Sequence, residues 1–372
     1  MSPPDPRQAG RGRSDQRETR QATPLTDPSA PEKPALRVRN LTTRFRTPHG
    51  TITAVDDVSF TVERGETLGL VGESGSGKSV TAMSILRLVP EPGRIAGGTV
   101  ELDGTNLLAL DDEAIRRKRG AEFGMVFQNP MTALNPAFTI GWQMREALRA
   151  HSRNGSGETE DARILRALAD VGMPDPARQA ASYPHQMSGG MRQRVVIAMG
   201  MINDPRLLIA DEPTTALDVT IQAQVLELMK ELTRDHGTSL LLITHNMGVI
   251  ARMCDRVAVM YAGEIVEEAP VEQIFSNSRH PYTRGLLRSI PKADSRRGRM
   301  PTLPGAPPDM SRPLPGCRFR SRCTFADERC SRHPDLLPVA AGHLSRCWVA
   351  QAGEPLTMHQ PIAQREEAAH GA

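Results

Sequence analysis

Apolar residues recur along this chain with two different periods, and the changes between them predict the order of its elements. Alternation with a period of two at Leu36–Leu41 and Val58–Val62 predicts half-exposed strands. Further strands are predicted at Thr67–Val71, Gly98–Leu102, Phe123–Phe127, Leu207–Ala210, Ser239–Thr244, Arg256–Tyr261 and Glu264–Glu267, and helices at Ile140–Ala150, Ala162–Val171 and Gly190–Ile202. Strands that alternate with helices favour a mostly parallel sheet covered on both faces, with a helical insertion at about 130–200.

The two ends of the chain lack this periodicity. Residues 1–35 are rich in Pro, Arg, Gln, Asp and Ser and contain almost no large apolar side chains. Such a segment buries too little apolar surface to offset the entropy of ordering its backbone. We therefore expect a disordered tail at 1–35, and a second one at 351–372.

Composition narrows the class of protein. The chain has 372 residues, a net charge of +3 and 3% aromatic residues, which suggests about two to three domains and few stacking platforms for single-stranded nucleic acid. No apolar run approaches the roughly 18 residues that cross a bilayer, and the N-terminus has no apolar signal segment. We expect a soluble, intracellular chain that reaches a membrane only through partners.

Between a predicted strand and a predicted helix lies the sequence GESGSGKS, residues 72–79. It matches the phosphate-binding loop pattern GxxxxGK[ST] in full and in its proper strand–loop–helix context. Glycines let successive N–H groups turn toward phosphate oxygens at the positive end of the helix. We expect Lys78 to reach the β- and γ-phosphates and Ser79 to bind Mg²⁺. The predicted nucleotide contacts are Gly72, Ser74, Gly75, Ser76, Gly77, Lys78 and Ser79.

Two adjacent carboxylates end the apolar strand at residues 207–210. Asp211 then lies near the Mg²⁺ shell, and Glu212, one residue further, is placed to polarise an attacking water. An apolar strand followed by an acidic pair is common in buried sheets. Together with the phosphate loop, however, the pair predicts a site that binds and hydrolyses a nucleoside triphosphate.

A third motif, Ser188-Gly189-Gly190, opens the last helix of the insertion and makes another anion-binding helix N-terminus. It resembles the signature sequence of ATP-binding cassette (ABC) ATPases. In the same resemblance Gln128 matches the Q-loop, which also contributes to the metal site, Asp218 the D-loop and His245 the switch histidine. Phe45 resembles the aromatic that stacks on adenine, and a core aromatic is its alternative role.

Three longer stretches narrow the resemblance to the ATP-binding subunits of oligopeptide/dipeptide and nickel permeases. They are NPMTALNP at 129–136, YPHQ at 183–186 and HPYTRGLL at 280–287. The likeness covers about residues 36–350. One departure is Met187 and Met191 beside the signature, where Leu and Gln are usual in cassettes.

The resemblance implies an α/β fold of the ABC nucleotide-binding type. Its parts are a RecA-like parallel sheet core, an antiparallel β subdomain and a helical subdomain at about 130–200, all within 36–290, and a small Cys-rich C-terminal extension at 291–350. It also implies a second homologous ATP-binding subunit, since the phosphate loop of one cassette faces the signature helix of another. The resemblance further implies two transmembrane permease subunits as partners and, indirectly, an extracytoplasmic solute-binding protein. Such a complex would place the chain at the cytoplasmic face of the inner membrane.

Four cysteines cluster near the C-terminus in a Pro/Arg-rich stretch. Such a stretch needs a cross-link or a bound metal to stabilise its fold. Disulfides are disfavoured in a reducing cytosol. Zinc usually prefers CxxC knuckles, which are absent, although His333 and His343 are further candidates. Similar quartets occur in peptide-permease cassettes, which implies a 4Fe-4S cluster, with zinc or reduced thiols as alternatives. The quartet is Cys317, Cys323, Cys330 and Cys347, whereas Cys254 is expected in the core.

The predicted function is therefore ATP hydrolysis that energises peptide import. The alternatives are a cassette for nickel or another small solute, a soluble cassette ATPase acting on nucleic acid, and a kinase with a similar phosphate loop. The paired cassettes, long coiled coils or inserted zinc modules of the soluble class are not visible in the sequence, and a kinase lacks the signature. A basic stretch from Arg279 to Arg332 suits anionic lipid or RNA, or a solvated face, which we favour. We expect no nucleic-acid partner.

Overall fold

The structure, a computed structural model, describes residues 33–354 apart from 49, 129–132, 152–157, 216, 291–302, 304 and 313. Most of the two predicted tails lies outside the described residues. Of the predicted tail residues that are described, Ala35 is buried against the first strand, and Gln351 ends a helix. The predicted junction between 290 and 291 borders residues that are not described.

A four-stranded antiparallel sheet forms the first part of the fold. On its first strand Leu36 and Val38 are buried in alternation, and a register shift between Val38 and Leu41 moves the buried positions to Leu41 and Thr43. Its order is β2-β1-β4-β5, with strands β1 (Leu36–Thr47), β2 (Gly50–Val62), β4 (Gly93–Leu102) and β5 (Thr105–Asn106).

The second sheet has eight strands in the order β11-β12-β10-β9-β3-β8-β7-β6. Strands β9, β3, β8, β7 and β6 are parallel to one another, and β10, β12 and β11 continue the sheet in antiparallel fashion. The bounds are β3 Thr67–Val71, β6 Phe123–Val126, β7 Leu207–Asp211, β8 Ser239–Thr244, β9 Arg256–Tyr261, β10 Glu264–Pro270, β11 Leu337–Ala340 and β12 His343–Ser345.

Helices cover this sheet and build the insertion. They are α1 Lys78–Ile85, α2 Asp112–Lys118, α3 Ile140–Arg149, α4 Glu160–Asp170, α5 Pro176–Ala181, α6 Gly189–Met201, α7 Val219–Asp235, α8 Met247–Met253, α9 Val271–Asn277, α10 Pro281–Arg288 and α11 Trp348–Gln351. Short 3₁₀ turns occupy Leu107–Ala109, Pro184–Gln186, Arg320–Arg322 and Glu328–Ser331. No helix among the described residues is both long enough and apolar enough to cross a membrane.

The interior positions of the central strands β7, β8 and β9 are apolar because both faces of these strands are buried. On β7, Leu207 and Ile209 pack toward the antiparallel sheet and α1, whereas Leu208 and Ala210 pack toward the helices of the other face. The neighbouring strands β8 and β9 divide their side chains in the same way. Continuous apolar runs, without alternation, are typical of a doubly covered parallel sheet.

The fold class predicted from the sequence is confirmed, and the predicted strands and helices are present with shifted ends. The first strand is longer than predicted and runs to Thr47, and the strand predicted from Gly98 begins at Gly93. The hairpin β11–β12, which adds to the main sheet through β10, was not predicted from the sequence. The C-terminal segment also buries more apolar side chains than expected, since Phe319, Phe325 and Ala326 belong to the main hydrophobic core.

An ion-pair network ties the parallel and antiparallel parts of this sheet together. Arg256, at the start of β9, donates to both carboxylate oxygens of Glu66 at 2.9 and 3.1 Å and also pairs with Glu268 on β10. The side chains of Glu66 and Glu268 are 9% and 8% exposed. Removing the cation would leave two nearly buried carboxylates facing each other.

We expect Arg256→Met to lower the free energy of unfolding by about 2–4 kcal/mol, because unpaired buried charge is costly. Urea denaturation of the full chain measures this. Arg252→Met is the matched control, since Arg252 pairs with Glu227 at 3.0 Å on an open surface and should change stability by about 1 kcal/mol or less. Equal losses in the two variants would contradict a structural role for the network.

Candidate functional site

Four neighbouring parallel strands end at the same edge of the sheet and deliver the predicted chemistry there. The phosphate loop follows β3, His245 follows β8, Glu212 follows β7, and Gln128 lies two residues beyond β6. The strand register aligns these ends, because Val71 pairs with Thr244 and Ile243 with Asp211. Ligands of open α/β sheets bind at this carboxyl edge.

The phosphate loop has a backbone shape that only glycine allows at its end. Gly77 has φ of +105°, and a Cβ there would lie 2.4 Å from the carbonyl oxygen of Ala54. Gly77 is also the N-cap of α1, so the loop leads directly into the N-terminus of a helix. The strand–loop–helix context of residues 72–79 is therefore present, whereas their contacts with phosphate stay a prediction.

Lys78 is held inside the loop. Its Nζ donates to the carbonyl oxygens of Gly72 at 2.8 Å and Glu73 at 2.9 Å. Burial lowers the pKa of Lys78, while the carboxylates of Glu212, Asp211 and Glu73 act in the opposite direction. The ammonium group of Lys78 is thus held by carbonyl oxygens of the loop, at the position where phosphate oxygens would bind.

Asp211 and Ser79 provide a test of whether this site suits Mg²⁺. The Ser79 hydroxyl bonds to Asp211, and burial raises the pKa of this carboxyl. Its Oδ1 is buried and has no hydrogen-bond partner among the described residues. A buried carboxylate oxygen without a donor, next to a hydroxyl, is the hard oxygen set that Mg²⁺ prefers. These residues fit the ion.

Three side chains contact the carboxylate of Glu212. Gln128 Nε2 and Thr215 Oγ1 donate to its Oε2 at 3.1 and 3.0 Å, and His245 Nδ1 lies 2.9 Å from its Oε1. Burial raises the pKa of Glu212, but the hydrogen bonds from His245 and Thr215 outweigh it, so the pKa lies below the ordinary glutamate value. The carboxylate is ionised and can accept a proton from water.

The backbone of Glu212 is unusual as well. Its φ is +46°, a left-handed conformation that ordinary residues seldom adopt. Its N–H donates to the carbonyl oxygen of Ile243 on β8 at 2.8 Å, which holds the turn in place. Such conformations persist where the surrounding structure fixes them, and they gather at functional sites.

Four further predicted residues, Ser188, Gly189, Gly190 and Asp218, lie at the N-termini of α6 and α7. Ser188 caps α6 and accepts from Met191 N–H at 3.3 Å, and Asp218 caps α7 and accepts from Ile221 N–H at 2.9 Å. Gly189 and Gly190 begin α6, close to Leu217 and Ile221. Each cap satisfies a helix N-terminus within the chain. The neighbouring D-loop residue Ala216 lies outside the described residues.

Phe45 lies half-buried on β1, and its ring covers Gly93, where a Cβ would lie 2.4 Å from the ring. The strand it occupies packs beside α1, since Thr43 Oγ1 and Ser84 Oγ are 2.7 Å apart. Phe45 is therefore near the helix that follows the phosphate loop. Its role in stacking on adenine stays a prediction.

Sequence reasoning missed three side chains at this edge: Thr215, Tyr282 and Arg322. Thr215 contacts Glu212, whereas Tyr282 and Arg322 contact Glu73 in the phosphate loop. Tyr282 lies in the HPYTRGLL stretch, whose resemblance to peptide-permease subunits does not by itself assign a role to the tyrosine. Arg322 lies some 250 residues from the loop it contacts, so no local pattern connects the two.

The four clustered cysteines line one small cavity, together with His280 and Phe319. All four are free thiols, and burial raises the pKa of Cys317 to about 12. No three His, Cys, Asp or Glu side chains in the described part of the chain are arranged to hold a metal ion. The donor set suits iron–sulfur or zinc chemistry, but its geometry is not that of a ligated centre. The cavity is lined by Cys317, Cys323, Cys330 and Cys347.

The other residues considered for that site have separate roles. His333 Nε2 lies 2.8 Å from Glu264 Oε1, and His343 Nε2 lies 2.7 Å from Glu267 Oε1. These contacts disfavour both histidines as zinc ligands. Cys254 is buried against Gly69 in the main core, as the sequence predicted.

Two family patterns match this chain. The pattern described as ABC transporter matches residues 55–215, and the pattern described as oligopeptide/dipeptide transporter, C-terminal region, matches residues 266–330. The first covers the phosphate loop, the signature and Glu212. The second covers α10, Arg322 and three of the four clustered cysteines.

Curated relatives are similar over most of their length. A putative peptide import ATP-binding protein of Brucella abortus is 50% identical over 314 residues, which are 84% of this chain and 94% of the relative. A putative peptide import ATP-binding protein of Brucella ovis is 51% identical over 328 residues, 85% of this chain and 97% of the relative.

Solved structures agree with this relationship. A dimeric bacterial ABC transporter cassette aligns with a TM-score of 0.57 and 30% identity, over 63% of this chain and 98% of its own. The same values hold for a dimeric post-hydrolysis state of that cassette bound to ADP and phosphate. From its fold, the residues at its sheet edge and these relatives, the chain belongs to the ABC transporter family of ATP-binding cassette proteins.

Proposed function

We propose that this chain is the ATP-binding and ATP-hydrolysing subunit that energises import of dipeptides or oligopeptides through a multi-subunit ABC transporter. The observation that carries the proposal is the meeting of a complete phosphate loop with Asp211 and Glu212 at one sheet edge. The cargo follows from the names of the relatives, which are peptide import ATP-binding proteins. The chain would act at the cytoplasmic face of the inner membrane.

In the proposed mechanism the loop N–H groups and Lys78 bind the β- and γ-phosphates of ATP and stabilise the charge that develops on them. Ser79, Asp211 and Gln128 would hold Mg²⁺, which neutralises charge on the phosphates. Glu212 accepts a proton as water attacks the γ-phosphate. The carboxylate is suited to this because it is ionised and faces the loop edge.

Gln128 and His245 would connect the presence of ATP to the state of Glu212. Both side chains contact the Glu212 carboxylate, and the His245 side chain is 63% exposed. A γ-phosphate at the loop would compete for these donors, because a phosphate oxygen is also a strong acceptor. Their transfer to the phosphate would free Glu212 to bind the attacking water.

A second cassette would complete the site. Ser188, Gly189 and Gly190 lie at the N-terminus of α6, which favours anions, and in this proposal they and the D-loop residue Asp218 contact ATP bound to the partner. Contacts made only when two cassettes are closed around ATP favour closure, and hydrolysis removes them. We propose a similar but distinct second chain as the partner, within domain limits of 36–290 for the ATPase and 291–350 for the C-terminal extension.

An apolar groove beside the insertion supports the proposed contact with permease subunits. It encloses about 290 Å³, and Leu88 and Phe127 at its walls are 39% and 40% exposed. Exposed apolar patches of this kind mark interaction sites. The groove is lined by Leu86, Leu88, Arg119, Gly120, Phe123, Gly124, Met125, Phe127, Ala133, Ala147, Val196, Met199 and Gly200. Cytoplasmic helices of two transmembrane subunits, one for each cassette, would dock here. The solute-binding protein would act through those subunits.

The four clustered thiols are proposed to hold a 4Fe-4S cluster, with zinc as the alternative. Their support is that all four line one cavity in a chain whose cysteines are free. Four thiolates are the usual ligands of such clusters. No step of ATP hydrolysis is assigned to the cluster.

Glu212→Gln should retain ATP binding and lower the hydrolysis rate at least about 100-fold, because the amide cannot accept the proton. Radiolabelled ATP binding and phosphate release by the assembled transporter measure the two effects. Glu227→Gln, on the exposed side of α7, is the control. Wild-type turnover in the Glu212 variant would refute the base assignment.

Leu88→Asp should leave ATP binding by the full chain unchanged and weaken assembly with the permease at least about tenfold, because a charge would be buried in an apolar contact. Co-purification with membrane subunits and peptide uptake into vesicles report on assembly. Leu165→Asp is the matched control, since Leu165 is 36% exposed on α4. Normal assembly of the Leu88 variant would exclude the groove as the docking site.

Protein purified without oxygen should contain about four iron and four sulfide per chain and absorb visible light. Cys323→Ser should lose iron, whereas Cys254→Ser, which removes the core cysteine, should keep it. Stoichiometric zinc in place of iron would favour the alternative metal. Colourless protein without bound metal would show that the thiols remain reduced.

A further inference from the structure

The C-terminal region, taken here as residues 281–350 from α10 onward, contacts the phosphate loop at Glu73. Arg322 forms a bidentate pair with the Glu73 carboxylate, with Nη1–Oε2 and Nη2–Oε1 distances of 2.7 and 3.0 Å. The Tyr282 hydroxyl accepts a hydrogen bond from the Glu73 N–H at 2.9 Å. The backbone and the side chain of Glu73 are thus held by two different elements.

Both partners of Glu73 are rigidly placed. Tyr282 is fully buried, and Arg322 is 5% exposed. The Tyr282 ring lies 4.6 Å from the ring of Tyr261 and 5.5 Å from that of Phe319. The Arg322 guanidinium lies over the same two rings, at 5.8 and 5.9 Å. Little conformational entropy remains to be lost when these groups hold the loop.

Glu73 in turn fixes the group that meets the phosphates. Its carbonyl oxygen accepts from Lys78 Nζ at 2.9 Å and from the Ser76 N–H at 3.2 Å. The N–H, carbonyl and carboxylate of Glu73 are therefore all engaged at once. A displacement of Glu73 would move the partner of Lys78 and one turn of the loop.

A second contact from the same segment supports the other end of the loop. Arg318 binds Asp56 and the carbonyl oxygen of Ala262. The next residue, Gly263, donates its N–H to the Ser76 carbonyl oxygen at 2.9 Å. Two arginines, each adjacent in sequence to a clustered cysteine, thus support the loop from one side.

We propose that Tyr282 and Arg322 are positioning residues for nucleotide binding: by clamping Glu73 they preorganise the phosphate loop, so that the C-terminal region is part of the ATP site. This proposal rests on the proposed ATP-binding function. It assigns a role to the HPYTRGLL stretch, because the hydroxyl of Tyr282 accepts the hydrogen bond from the Glu73 N–H of the loop. Preorganisation raises affinity by reducing the ordering that the ligand must bring about.

The test is calorimetric titration of the full chain with ADP and Mg²⁺, because ADP reaches the phosphate loop without turnover. Tyr282→Phe keeps the ring packing and removes only the acceptor, and Arg322→Gln removes the bidentate pair. Each should raise the dissociation constant about tenfold, as expected for one lost buried hydrogen bond or charged pair. Arg322→Lys should recover part of this loss, and Glu73→Gln combined with Arg322→Gln should bind no more weakly than Arg322→Gln alone.

Arg329→Gln is the matched control, because Arg329 forms a similar bidentate pair with Glu354, at 2.9 and 2.7 Å, away from the loop. It should leave the ADP dissociation constant unchanged. Circular dichroism identifies any variant that does not fold, and if Arg322→Gln is one of these, Tyr282→Phe decides. If the wild-type chain binds ADP and the folded Tyr282→Phe and Arg322→Gln variants bind it with the same affinity, the positioning role of Tyr282 and Arg322 is overturned. The proposed ATP-binding function would then still stand. Failure of the wild-type chain to bind nucleotide overturns the proposed function and this proposal together.

Discussion

Backbone hydrogen bonding between four parallel strands is the constraint on which the site depends. The ladders that join β3, β8, β7 and β6 run without a register shift, so the ends of these strands are fixed relative to one another. Residues that follow each strand by one or two positions must then meet at one edge. The phosphate loop, His245, Glu212 and Gln128 are brought together in this way, although they are spread over more than 170 residues.

The same edge concentrates charge that the apolar sheet could not tolerate elsewhere. Lys78, Asp211 and Glu212 are close enough to shift one another's pKa, and one buried carboxylate oxygen of Asp211 has no donor within the described part of the chain. Burial of such groups is unfavourable unless a ligand or ion completes their contacts. The edge therefore gathers buried polar groups whose contacts a nucleotide and Mg²⁺ would complete.

The C-terminal region is joined to this site more closely than its cysteine-rich sequence suggests. Strands β11 and β12 extend the main sheet, Phe319 packs against both Tyr261 and Tyr282, and Arg322 reaches the phosphate loop. Aromatic packing and ion pairing of this kind transmit small displacements, because packed cores deform little. Phe319 and Cys323, which flank Arg322 in the sequence, also line the cavity of the four thiols.

Short patterns in the sequence are enough to predict the fold class, the phosphate loop and the acidic pair, because GESGSGKS and an apolar strand before Asp211-Glu212 specify local chemistry. The family resemblance also pointed to Gln128 and His245, although their shared contact with Glu212 could not be read from the chain. The contacts that Thr215, Tyr282 and Arg322 make at this edge became visible in the folded structure. The physical reason is distance along the chain: Arg322 and Glu73 meet through packing between elements, and no residue pattern near either one encodes that contact.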